Sequence, residues 1–330
     1  MVRRHTTSLA RRAAVAAGAL AMAMAAALGT AGAAVAAAVP ITHRAPAGGY
    51  EEVTIRSAMG PVKVQIQWAA RGGDAALYLL DGLRARDDAN GWSLETDAAR
   101  QFAGDNVTLV MPVGGESSFY TDWIAPSNLN GQRTTYKWES FLTHELPDYL
   151  ATRGVSRANN AVVGLSMGGS AALSLAAHHR DQFKAAGSLS GYLNLSAPGM
   201  REAIRIAMLS GGGFNADAMW GPPWGTGWLR NDPFMFAPLL ADLPIYVSAA
   251  SGLPGQHDNP QGVGGHVNNA SAMALEALSL AQTRAFQVRL NTLGLPAQFD
   301  FPATGTHSWG YWQDELAKAR PMILDALGAH

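Results

Sequence analysis

The chain has 330 residues, a formal net charge of −1, 48% hydrophobic residues and no cysteine. A charge so close to neutral supplies no long-range field to gather nucleic acid or an anionic surface, so nucleic acid is set aside as a partner. The absence of cysteine excludes disulfides, a thiol nucleophile and a cysteine-ligated metal, and leaves stability to the apolar core.

Residues 1–38 read as an export signal. Arg3, Arg4, Arg11 and Arg12 precede an Ala-, Met- and Leu-rich stretch that ends in Ala36-Ala37-Ala38, the charged, apolar and small-residue regions of such a signal. An Ala-rich core favours a cleaved signal over a retained membrane anchor. The expected mature chain starts near Val39 and is secreted or held in the cell envelope, and the paired arginines fit either export route.

Next, Glu51 to Ile55 and Val62 to Trp68 alternate as a hairpin around Met59-Gly60-Pro61. Ala75 to Leu80, Val107 to Pro112, Ala161 to Leu165, Ala185 to Ser190 and Leu243 to Ala250 are apolar runs of the kind that form central parallel strands. Trp138 to Arg153, Ser170 to His179 and Ser271 to Leu293 carry helical periodicity. Met200 to Asp232 shows little periodicity and three tryptophans, so an ordered excursion over the sheet is expected there, and Gly252 to Asn268 is expected to be a surface loop. Strands alternating with helices predict one α/β domain over 39–330: a doubly wound, mostly parallel sheet with helices on both faces.

Ala161 to Ser170 is the most specific signal, since the third central run turns into Gly164-Leu165-Ser166-Met167-Gly168 and then into an Ala-rich helix. This is the layout of a nucleophile elbow: the glycines permit a tight strand-to-helix turn, Ser166 stands clear of the sheet, and the amide of Met167 points where an oxyanion would form. A serine nucleophile needs a base, which in α/β-hydrolase order comes last. His307 sits in a Gly-containing loop after the strand-like Phe299-Asp300-Phe301, where the last loop of such a sheet would present it. For the acid, spacing favours Asp258 after the fifth run, whereas Glu276 is expected to open a helix and Asp300 lies too near His307. The turn Asp81-Gly82-Leu83-Arg84 is placed to add a second oxyanion donor, the amide of Leu83.

Several ordered segments resemble the antigen 85 mycolyltransferases of mycolate-bearing actinobacteria. They include Leu79 to Ala85 with Asp87 to Trp92, Met111 to Gly115 with Ser117 to Trp123, Tyr136 to Glu139, the Ser166 elbow, Arg230 to Pro233 and Gly305 to Trp309. The resemblance implies the α/β-hydrolase fold and a Ser-Glu-His triad whose glutamate lies in a Leu-Glu pair, here Leu275-Glu276, which moves the acid from Asp258 to Glu276. It also implies trehalose contacts at Asp81, Leu83, Arg84, His307, Ser308 and Trp309, with Asn194 standing where the family carries an aspartate near the substrate. Ile124 to Thr135 lacks the family's disulfide, and Arg284 is the nearest cation to the expected lysine after the acid. These departures put any fibronectin binding in question.

The implied reaction transfers a mycoloyl chain from trehalose monomycolate, through Ser166, to a second trehalose monomycolate or to arabinogalactan. The partners are trehalose mycolates and envelope glycolipid, with peripheral contact to the mycolate layer, and no metal or cofactor is called for. The competing readings are an exported carboxylesterase of the same fold and an adhesion or glycan-binding protein without turnover.

Overall fold

The computed structural model describes residues 40–330; the export-signal reading, 1–38, lies outside the described residues. Eight strands form one mixed sheet: β1 (Tyr50–Ser57), β2 (Gly60–Gln67), β3 (Ala75–Leu80), β4 (Val107–Pro112), β5 (Asn160–Leu165), β6 (Phe183–Leu189), β7 (Ile245–Ser248) and β8 (Gln298–Asp300). Their order is β1-β2-β4-β3-β5-β6-β7-β8. The first two strands form the expected antiparallel hairpin, β2 meets β4 antiparallel, and every pairing from β4 through β8 is parallel.

The period of two along the strands builds a core on each face. Tyr78, Leu80 and Val162 point into one layer with Ala171, Ala172 and Leu173 of the helix Met167–His178. Leu77, Leu79 and Val163 point into the other, against Leu316 and Ile323 of the final helix Trp309–Leu327. Because β3, β4 and β5 are buried on both faces, their sequences are continuous apolar runs rather than alternating ones. Parallel pairing also brings the C-terminal ends of β3, β5, β6, β7 and β8 to one edge of the sheet, the edge where open α/β sheets bind ligands.

Four expectations change. Met200 to Asp232 is helical in pieces: Met200–Gly212 buries Met200, Ile204 and Met208, one face at i, i+4 and i+8, followed by Ala216–Trp220 and Thr226–Arg230. The glycines at its end and the prolines beyond masked that period. The expected loop Gly252 to Asn268 is helical from Gly262, because one helix runs Gly262–Leu293; Gly262, Gly264 and Gly265, poor helix formers, hid its start. Glu276 therefore lies in mid-helix instead of opening one. The helix expected over Trp138 to Arg153 contains a π turn at Phe141–Glu145 and ends at Thr152. The final helix Trp309–Leu327 has no counterpart among the elements expected from periodicity.

Candidate active site

Ser166 occupies the turn between β5 and Met167–His178 with φ 51° and ψ −121°, a region that non-glycine residues enter only at a cost. The flanking glycines serve close approach: a Cβ on Gly164 would lie 2.1 Å from the Gly168 carbonyl oxygen, and one on Gly168 would lie 2.4 Å from that of Asp81. A side chain at Gly164 would push the helix off β5, and one at Gly168 would push it off the end of β3. The Ser166 amide donates to Leu189 O at 2.8 Å, which ties the turn to β6.

His307 is held from three directions. Its Nδ1 lies 2.8 Å from Glu276 Oε2, its ring stands edge-on to Trp312 at 4.9 Å, and it lies 6.2 Å from the ring of Tyr192. Glu276 is only 1% exposed, so its charge needs partners, and it has them: Oε1 accepts from Ser190 Oγ at 2.8 Å and from the Ala250 amide at 2.7 Å. Trp312 Nε1 donates to Ser190 Oγ in turn, at 2.9 Å. With Nδ1 engaged by the carboxylate, Nε2 is the nitrogen left for chemistry.

Asp258 is not brought to His307. Its oxygens accept from Thr306 Oγ1 at 2.7 Å, Tyr311 Oη at 2.5 Å and the Gly255 amide at 2.8 Å. Burial pushes its carboxyl up, but those hydroxyl donors more than offset it and the net shift is downward. It ties down the loop that carries His307 from outside.

Ser166, Met167, His307, Asp81, Leu83, Arg84 and Trp309 line one cleft of about 630 Å³. Its walls include Ile204 and Ala207 from one helix and Ala272, Leu275 and Leu278 from another, which gives an apolar cavity floored by the polar site. Asp81, 2% exposed, accepts from the Gly91 amide through both oxygens, at 3.1 and 2.9 Å. Burial pushes its carboxyl up to about 7, the Gly91 hydrogen bond opposing. Gly91 is a close-approach glycine, since a Cβ there would lie 2.3 Å from the Trp309 ring. Trp309 is fixed edge-on between Trp92 at 5.6 Å and Trp312 at 5.3 Å. Arg84 is exposed at the rim.

Two expected contacts lie elsewhere. Asn194 does not line the cleft; it sits in the loop after β6, where its carbonyl accepts from the Ala197 amide and Asp232 holds the next two amides. Ser308 does not line it either, because its Oγ turns to Thr306 Oγ1 at 3.4 Å at the start of the final helix. The sequence reading does not find the apolar walls, nor Tyr192, which lies beside Ser166 and is locked by mutual main-chain bonds with Ser170 Oγ. Burial, then the Glu276 charge, pushes its phenol up, while a hydrogen bond with the Ser166 side chain opposes the shift. Nothing in a lone Tyr after a strand marks it. Among the described residues no cluster of three or more His, Asp or Glu is arranged to hold a metal ion.

This fold and edge-of-sheet site define an esterase-like enzyme of the α/β-hydrolase class, and the family described as "Putative esterase" matches residues 56–323. The diacylglycerol acyltransferase/mycolyltransferase Ag85C of Mycobacterium avium is 44% identical over 282 residues, 84% of this chain and 77% of its own length. Ag85B of Mycolicibacterium smegmatis is 44% identical over 273 residues, covering 81% of each chain. The solved structure of Mycobacterium tuberculosis MPT51 (FbpC1) superposes with TM-score 0.73 at 33% identity, over 85% of this chain and 100% of that one. The serine hydrolase FphF of Staphylococcus aureus, at 16% identity, TM-score 0.64 and coverage of 84% and 99%, shares the fold. The chain belongs to the antigen 85 family of mycolyltransferases and is an acyl-transferring enzyme of that type.

Proposed function

We propose that the protein transfers a mycoloyl chain by a ping-pong route through a Ser166 acyl-enzyme. His307, through Nε2, takes the Ser166 proton as Oγ attacks the ester of trehalose monomycolate; the amides of Leu83 and Met167 stabilise the oxyanion, and His307 returns the proton to the departing trehalose. A hydroxyl of a second trehalose monomycolate, or of arabinogalactan, then attacks the acyl-enzyme with the same histidine as base. Glu276 holds the imidazole in the required tautomer and stabilises its charged form. Asp81 and Arg84 hydrogen-bond the sugar, and Trp309 offers a ring face to it. The apolar helices of the cleft receive the acyl chain. The fit of the enzyme to a trehalose glycolipid rests on the family, and the direct sugar contacts are confined to residues that line the cleft, which leaves out Asn194 and Ser308.

One observation carries this reading: Ser166 on its strained turn and the Glu276-paired His307 open onto one cleft that is apolar in its walls and polar at its base. The mature enzyme, beginning after residue 38 as a single catalytic domain, acts outside the cell membrane. Among the described residues no helix is long and apolar enough to cross a membrane. The test is incubation of the purified protein with trehalose monomycolate. Trehalose dimycolate and free trehalose in equal amounts support transfer, whereas free mycolic acid and trehalose without any dimycolate would make the enzyme a simple esterase.

A further inference from the structure

Among the described residues, the non-glycine positions at positive φ are Ser117, Phe119, Tyr120, Ser166, Ser190 and Asp242. Ser166 is the elbow serine and Ser190 donates to Glu276. Three of the others fall in one seven-residue loop, Gly114 to Tyr120, whose Gly114 and Gly115 are also left-handed, at φ 98° and 88°. Strain so concentrated persists only where the surroundings over-determine it. Ser117, Ser118, Phe119 and Tyr120 are all buried, and Tyr120 packs edge-on against Trp138 at 5.4 Å.

The conformation sends three groups to the back of the catalytic site. The Asp81 amide donates to Tyr120 Oη at 3.0 Å, and the Ser117 amide donates to Leu83 O at 2.8 Å. The turn Asp81-Gly82-Leu83 is thus pinned at its first N–H and its last C=O, with the Leu83 N–H between the two anchors. Among the described residues that N–H has no protein acceptor. On the other side the Phe119 amide lies 3.2 Å from Met167 Sδ, which fixes the side chain of the residue whose own N–H, in the first turn of its helix, has no intrahelical partner.

We propose that the Gly114–Tyr120 loop is the brace of the oxyanion hole, and that Tyr120 is a positioning residue that sets the Leu83 amide through the Asp81 N–H. The loop touches both donor-bearing segments; its Phe119 side chain also lines the cleft, whereas the Tyr120 hydroxyl meets the Asp81 amide, so Tyr120 acts through that turn. Its contorted backbone follows from geometry: a loop with ordinary dihedrals would not turn the Ser117 and Phe119 amides and the Tyr120 ring to three targets within seven residues. The proposal rests on the reading of Leu83 and Met167 as oxyanion donors to an acyl-enzyme at Ser166.

The experiment compares the wild type with Tyr120→Phe, which keeps the ring and removes the acceptor, and with Met167→Leu, which keeps volume and main chain and removes the sulfur. Each is assayed on a short-chain nitrophenyl ester and for inhibition by an alkyl boronic acid, whose adduct with serine is tetrahedral and anionic. Removal of a whole oxyanion donor costs about 10²- to 10³-fold in kcat, so a loosened donor should cost about tenfold in Tyr120→Phe with KM within about twofold, and less in Met167→Leu. The boronate inhibition constant should rise by the same factor as kcat falls. Unchanged kcat and boronate affinity in both folded variants, with or without a lower Tm, overturn the brace, because a packing role alone would move only Tm. Should Tyr120→Phe not fold, Met167→Leu decides by the same two readouts. A wild type that the boronic acid does not inhibit overturns the serine reading and the brace with it, whereas equal inhibition of wild type and variants overturns the brace alone.

Discussion

Glu276 and His307, 31 positions apart, meet through a 2.8 Å hydrogen bond that leaves the carboxylate with three donors and almost no contact with water. The three donors fix the carboxylate in place, and its Oε2 in turn orients the imidazole so that Nε2 faces the cleft side of the ring. Asp258, the choice that spacing alone favours, spends its oxygens on Thr306 and Tyr311.

Glu276→Gln keeps the side chain's shape but supports the wrong tautomer and no imidazolium, so kcat should fall by about 10³- to 10⁴-fold. Asp258→Asn loosens the His307 loop and should cost less than about tenfold, with a lower Tm. Steady-state kinetics of the two purified variants give the ranking, and the reverse order would move the acid to Asp258.

Legibility in the sequence followed how local each signal was. Ser166 announces itself because its strand, its glycines and its helix are contiguous, and His307 because its loop follows a strand. Glu276 has no local mark: it is one residue in the middle of the 32-residue helix Gly262–Leu293, chosen by tertiary packing, and only family resemblance pointed to it. The helix Met200–Gly212 carries its signal in the spacing of Met200, Ile204 and Met208, which the neighbouring glycines obscure. The left-handed Ser117, Phe119 and Tyr120 carry none, since no residue type there announces a positive φ. Asn194 is carried over from the family resemblance, and it lies in the loop after β6, outside the residues that line the cleft.

Asp81 should make both stability and sugar transfer pH-dependent. Its carboxyl is raised to about 7 in the fold against an ordinary value near 3.8, so between those values the folded state binds the proton more tightly and stability falls as pH rises through the window. Denaturant unfolding at about pH 5 and pH 8 should show this loss for the wild type and a smaller one for Asp81→Asn. Transfer to sugar, which gains from an ionised acceptor of hydroxyl protons, should instead rise through about pH 7 in the wild type and lose that rise in the variant. Identical profiles for the two proteins would remove Asp81 from both roles.

Arg84→Ala separates the sugar site from the chemistry. Directed hydrogen bonds from a charged donor contribute about 1.5 to 3 kcal/mol each, and a small ester without sugar makes no use of them. Transfer to trehalose glycolipid should therefore drop by about tenfold or more while hydrolysis of the small ester holds within about twofold. Equal losses in both assays would make Arg84 structural.

Glu139, which is not among the residues that line the cleft, joins His179 to Arg230. Burial alone would raise its carboxyl, but hydrogen bonds from His179 at 2.8 Å and Arg230 at 2.6 Å bring it down to about 2. A lowered carboxyl contributes stability that is full above its ordinary value near 4.5 and is lost as pH falls toward 2. Glu139→Gln should melt on the order of 2 to 4 °C lower at pH 7, and the gap should narrow below about pH 4. Scanning calorimetry at the two pH values checks it; a gap that is constant with pH would assign the loss to packing.

The central claim is that the acyl chain passes through Ser166. Rapid acid quench of the enzyme with a slowly turned-over ester of trehalose, followed by digestion and mass spectrometry, reads it directly. The account predicts one acyl adduct on Ser166 that appears at the rate of trehalose release, disappears on addition of acceptor, and is absent from Ser166→Ala, whose fold and glycolipid binding persist. An adduct on another residue, or full transfer activity in Ser166→Ala, would contradict it.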